Sequence, residues 1–118
     1  MTAATHDARL AEVLAAIDRE NDADPNRIAT ATGERPAELV YGERMSATLA
    51  RFAPEASPEL QIAVRAQHIA RWKLPRSDYP EGRAGYHRWR TEQKRRHAQL
   101  VGEIMSPRGF PPEAAARV

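Results

Sequence analysis

The chain has 118 residues, no cysteine and a formal net charge of +2. That length suits one domain with a modest core. Without cysteine there are no disulfides, thiol nucleophiles or thiolate metal sites, so a metal would need His, Asp, Glu or water as ligands.

The first residues carry no apolar run behind a basic flank, the pattern of a secretory signal. No stretch approaches the roughly 20 apolar residues that span a bilayer. The expectation is a soluble, cytoplasmic protein that does not enter a membrane. Residues 1–6 read as a flexible tail before a single domain over 7–118.

Residues 7–20 place Leu10, Val13, Leu14 and Ile17 at helical spacing. Asn and Asp around Pro25 make residues 21–26 a turn, because these side chains bond their own backbone and proline cannot continue a helix. The acids there lack the Gly and terminal Glu spacing of an EF-hand loop. Residues 28–35 read as loop. A second helix opens at Pro36 and carries Leu39, Val40, Met45, Leu49 and Phe52, ending before Pro54. Ser57 and Pro58 restart a helix as N-cap and first helical residue. Alanine and apolar residues on nearly every side predict a central, buried helix reaching about Trp72.

Pro75 and Pro80 stiffen the loop that follows. A fourth helix is predicted from Arg83 or Ala84 to Met105, with Tyr86, Trp89, Gln93, His97, Leu100 and Ile104 as its inner stripe. Pro112 and Glu113 open another helix that ends within two turns. That reads either as a bundle lacking its C-terminal helix or as a short terminal turn. No strand-like alternation or internal repeat is visible.

The charge is unevenly placed. Residues 1–60 hold six Arg against eleven Asp and Glu, whereas residues 71–97 hold nine Lys and Arg against three acids. Such asymmetry marks either an anion-binding face or a solvated helix face paired with the acidic half. Arg71, Arg76 and Arg83 flank the stiff loop and Lys94 follows on the next helix, a candidate phosphate-binding set. Gln67, Tyr79, Tyr86 and Trp89 are candidate pocket residues around it. Aromatic residues interleaved with arginine also suit base stacking, although structural packing accounts for Trp72 and Trp89 equally well. His68 and His97 face inward on adjacent helices. They read either as hydrogen-bonded core histidines or as ligands of a shared divalent metal such as Mn, Fe, Zn or Ni.

The string of Pro75-Arg76, Tyr79-Pro80, Arg83, Gly85-Tyr86 and Trp89-Arg90, preceded by AQHIARW, resembles the hallmark of a bacterial and fungal domain-of-unknown-function family. The resemblance spans roughly residues 11–118. More distantly, that family is similar to the HD superfamily of all-α, metal-dependent phosphohydrolases. In this resemblance Tyr41 stands where the first metal-binding His would be, and Gln67-His68 stands in place of the His-Asp doublet. The implied ligands reduce to His68 and His97, with Glu43 or a carboxylate beyond Val118 as a candidate third. The resemblance implies an all-α, compact HD-like bundle of four to five helices. It also implies a metal-dependent phosphohydrolase acting on a nucleotide or another phosphate ester. The alternatives are a non-catalytic RNA- or nucleotide-binding module using the 71–96 face, and a helical homodimeric interaction domain.

Overall fold

The structure is a computed structural model that describes residues 2–118, with side chains described from residue 8 onward. Five α-helices and one hairpin follow one another: α1 (Thr2–Asp22), β1 (Arg27–Thr30), β2 (Gly33–Pro36), α2 (Ala37–Phe52), α3 (Pro58–Arg65), α4 (Arg83–Met105) and α5 (Pro112–Arg117). The fold is therefore all-α apart from one small antiparallel sheet. Met1, within the expected tail, lies outside the described residues, and helix is already present from Thr2. Among the described residues no helix is long and apolar enough to cross a membrane.

The core forms where the apolar stripes of α1, α3, α4 and α5 meet. Val13 and Ile17 of α1, Ile62 of α3, Ile69 after it, and Met105 of α4 are completely enclosed. Phe110 and Ala114 join the same cluster, so the short last helix docks on the core. Burial of these side chains is the main driving force for the fold.

The hairpin is the first departure from the expected loop over 28–35. Arg27 pairs with Pro36 and Thr30 with Gly33, leaving Ala31 and Thr32 as the connection. Gly33 has φ of 112°, a conformation side-chain-bearing residues rarely adopt. Thr30 Oγ1 donates to the Gly33 carbonyl at 2.6 Å. Each strand has four residues and only Ile28 is large and aliphatic, so periodicity gave no signal.

The acids of the 21–26 turn also acquire a role. Asp24 is buried, and its Oδ2 accepts from the Glu38 N–H at 2.9 Å. It thereby caps α2, whose own N-cap residue, Pro36, supplies no side-chain acceptor. Bidentate pairs complete the frame. Arg35 holds Glu43 at 2.6–2.8 Å and depresses its carboxyl below the usual range. Arg65 holds Asp18 through two bonds of 2.7 Å, joining α3 to α1.

The largest correction concerns α3. Its start is as expected, with Ser57 Oγ accepting from the Leu60 N–H at 3.2 Å. The helix stops at Arg65, however, and does not reach Trp72. In a continuing helix the Ala70 N–H would bond the Ala66 carbonyl. It donates instead to the buried Asn21 Oδ1 at 3.1 Å, and Ala70 turns left-handed with φ of 53°. Residues 66–70 form tight turns, with the Gln67 and Ile69 amides bonding carbonyls three residues back, and lead into a 3-10 segment at Arg71–Lys73.

Asn21→Ala leaves the Ala70 N–H without its acceptor and is expected to lower unfolding free energy by about 1–3 kcal/mol. Ala70→Gly relieves the left-handed alanine and is expected to stabilise by about 1 kcal/mol. Urea denaturation of both variants beside the wild type checks the pair of opposite signs.

Candidate functional site

The loop between α3 and α4 is wired onto α4 by its own carbonyl groups. Trp89 Nε1 donates to the Leu74 carbonyl at 2.8 Å. Buried Gln93 Nε2 donates to the carbonyls of Arg71 at 3.0 Å and Leu74 at 3.1 Å. Arg76 donates to the carbonyls of Tyr79, Pro80 and Gly82 at 2.9–3.4 Å. A Cβ at Gly85 would lie 1.8 Å from the Pro80 carbonyl oxygen, so only glycine lets the loop close on the helix.

This wiring positions a cleft of about 430 Å³ between residues 67–71 and α4. Arg71, Arg90 and Lys94 bring three cations to it, and no Asp or Glu lines it. His68 and His97 face it, with Gln67, Tyr86 and Trp89. Arg71 lies over the Trp89 ring, 5.1 Å from its centroid. Arg90 donates to the Tyr86 hydroxyl at 3.3 Å and holds that phenol below its usual range.

His68 is clamped on three sides. Its ring stacks on Tyr41 of α2, with centroids 4.3 Å apart and planes within 6° of parallel. Its Nδ1 faces Glu38 Oε2 at 3.5 Å. Its Nε2 lies 3.1 Å from Arg71 Nη1. A guanidinium can only donate, so Nε2 presents its lone pair and the ring proton sits on Nδ1, toward Glu38. His97 lies deeper, with Nε2 buried and making no hydrogen bond. Burial pushes its pKa down; His68 when protonated, and the charges of Arg71 and Arg96, add to this against the opposite pull of Glu38.

The structure thus brings together His68, His97, Arg71, Lys94, Gln67, Tyr86 and Trp89 from the sequence expectation. It does not bring Arg76, which is committed to backbone carbonyls, or Arg83, exposed at the first residue of α4. Tyr79 also lies outside the cleft lining. Tyr86, expected on the inner stripe of α4, is 40% exposed. Arg90 was missed, although the spacing 90, 94, 97 places it on the face shared by Lys94 and His97. Glu38 was missed because its approach to His68 is a tertiary contact with no sequence signal.

The donors do not suit the metal that the HD resemblance implies. The Arg71 guanidinium lies 3.1 Å from His68 Nε2, and its positive charge disfavours a metal cation at that nitrogen. Glu43, the candidate third ligand, is held by Arg35. Among the described residues no group of three or more His, Asp or Glu side chains is placed to hold an ion.

The model of one protein family, described as a domain of unknown function (DUF4202), matches residues 11–118. The chain belongs to this family. No curated protein matches it. No solved structure matches it either.

Two expectations follow. Gly85→Ala forces the loop off α4 and should cost about 2–4 kcal/mol in thermal or urea denaturation. His97 binds its proton less readily folded than unfolded, so its contribution is constant above the ordinary value of 6.5 and stability falls as pH drops below it. Denaturation midpoints followed from about pH 7 to about pH 5 should decline in the wild type and decline less in His97→Gln.

Proposed function

We propose that this chain binds a small phosphate ester in the cleft between residues 67–71 and α4. The observation that carries the reading is the convergence of Arg71, Arg90 and Lys94 on one cavity without a lining carboxylate. Three cations in a partly enclosed cavity repel one another unless an anion enters. Arginine offers the planar fork that matches phosphate oxygens, and lysine adds a point charge. Gln67 adds amide donors, and Tyr86 offers an aromatic face to the organic part of the ligand. A nucleotide is one ligand of suitable size for a cavity of about 430 Å³.

A small ligand is favoured over an extended nucleic acid by what happens to the remaining basic residues. Lys73 faces Glu20 at 3.4 Å, Arg95 is paired with Glu92, and Arg76 serves the loop backbone. The basic run of the sequence is therefore partly neutralised away from the cleft, which shortens any continuous track for a phosphodiester chain. Phosphohydrolysis through a bound metal, the reading implied by the HD resemblance, draws less support from the donor set than simple anion binding does.

Calorimetric titration with inorganic phosphate and with adenosine monophosphate tests the proposal. The expected result is saturable one-site binding that weakens as salt rises. Arg71→Ala and Lys94→Ala should each reduce affinity about tenfold or more. Lys94 is exposed, so its variant should fold normally. Absence of binding for both ligands at low salt, or binding unchanged in both variants, overturns the proposal. Tight RNA binding with no ester binding would favour the nucleic-acid module.

A further inference from the structure

Three histidines lie in or near the basic region, and they differ in what their ring nitrogens can do. His87 is exposed and does not line the cleft. His97 lines it, but Nε2 is buried from solvent. His68 alone combines access with a fixed orientation: its side chain is 26% exposed and three neighbours hold its ring. Glu38 stands behind Nδ1, Tyr41 braces the ring face, and Nε2 faces the Arg71 guanidinium at the cleft wall. A nucleophile oriented by a carboxylate on its far side and facing groups that bind phosphoryl oxygens is the arrangement nucleophilic catalysis requires.

We propose that His68 Nε2 is a phosphoryl acceptor: it takes the phosphoryl group from an acyl phosphate bound in the cleft and forms a phosphohistidine. This rests on the reading of the cleft as a phosphate site and deepens it. In the forward step the Nε2 lone pair attacks phosphorus. The N–P bond forms as the bond from phosphorus to the acyl oxygen breaks. The electron pair leaves with that oxygen as a carboxylate, which needs no proton. The ring becomes positively charged, keeps its proton on Nδ1, and Glu38 faces that charge. Arg71, released from Nε2, turns to the phosphoryl oxygens together with Arg90 and Lys94. Attack by water then forms a P–O bond and returns the N–P pair to Nε2. The water gives up a proton to solvent, and inorganic phosphate leaves. No metal ligand is required at any step.

Acetyl phosphate incubated with the full chain is the test, read by intact mass at neutral pH and by peptide mapping. The expected result is a single label, lost in acid and stable in base, mapped to residue 68. His68→Gln should abolish it and His87→Gln, outside the cleft, should retain it. Glu38→Gln should slow labelling by about tenfold or more, because the ring loses its orienting charge. Mapping of the wild-type label locates it even if His68→Gln folds poorly. No label on the wild type, or a label on any residue other than His68, overturns the inference. Inorganic phosphate binding measured on the same sample separates the two readings. Binding without labelling overturns the acceptor role alone, and loss of both overturns the phosphate site with it.

Discussion

A single side-chain hydrogen bond decides how the rest of the molecule is arranged. Asn21, at the end of α1, takes the amide proton of Ala70. By then α3 has already ended: the Gln67 amide bonds Val64 and the Ile69 amide bonds Ala66, three residues back instead of four. The Asn21 bond fixes the turn that follows Arg65, and the chain leaves that turn through a left-handed alanine. Asn21 is buried, so the bond is shielded from competing water and an orphaned donor there would be costly. Everything that faces the cleft from this side, from Gln67 to Arg71, depends on that turn. A straight α3 would carry His68 and Arg71 along a helix rather than around a corner.

The other wall of the cleft is set by a second economy of polar groups. The Pro- and Arg-rich loop turns several carbonyls out of the helical ladders, where side chains meet them. Trp89, Gln93 and Arg76 donate six hydrogen bonds to five carbonyls there, and Gly85 provides the space. Residues with the composition of a phosphate-binding motif thus divide their labour. Gly85 and Gln93 hold the loop against α4 and Arg76 braces the loop itself, while Arg71, Arg90 and Lys94 turn toward the cavity. Both tasks require strong donors, which is why composition alone did not separate them.

The electrostatics of the cleft follow from this division. Acidic residues of the N-terminal half are engaged elsewhere: Asp18 with Arg65, Asp24 with α2, and Glu43 with Arg35. Glu38 approaches, but behind the His68 ring and outside the cavity lining. The cavity keeps its positive character, and the deeper His97 is held below its ordinary pKa by burial. Arg71 stacks on Trp89, which lowers the cost of holding a guanidinium in a half-enclosed site.

The sequence determined the helical class, the five helices, the Ser57 cap and the family, because caps, prolines and apolar spacing are local signals. It also singled out His68, His97, Arg71 and Lys94, since charge and residue type are visible without a fold. The hairpin was not legible, because two four-residue strands with one large aliphatic residue leave no period to read. The turn after α3 was not legible either, because its residues favour helix and it is fixed by an acceptor 49 positions away in sequence. Which arginines face the cleft, and that Glu38 and Tyr41 clamp His68, were decided only by tertiary structure. Those contacts join α1, α2 and α4 to one turn, and no local propensity encodes where such distant elements meet.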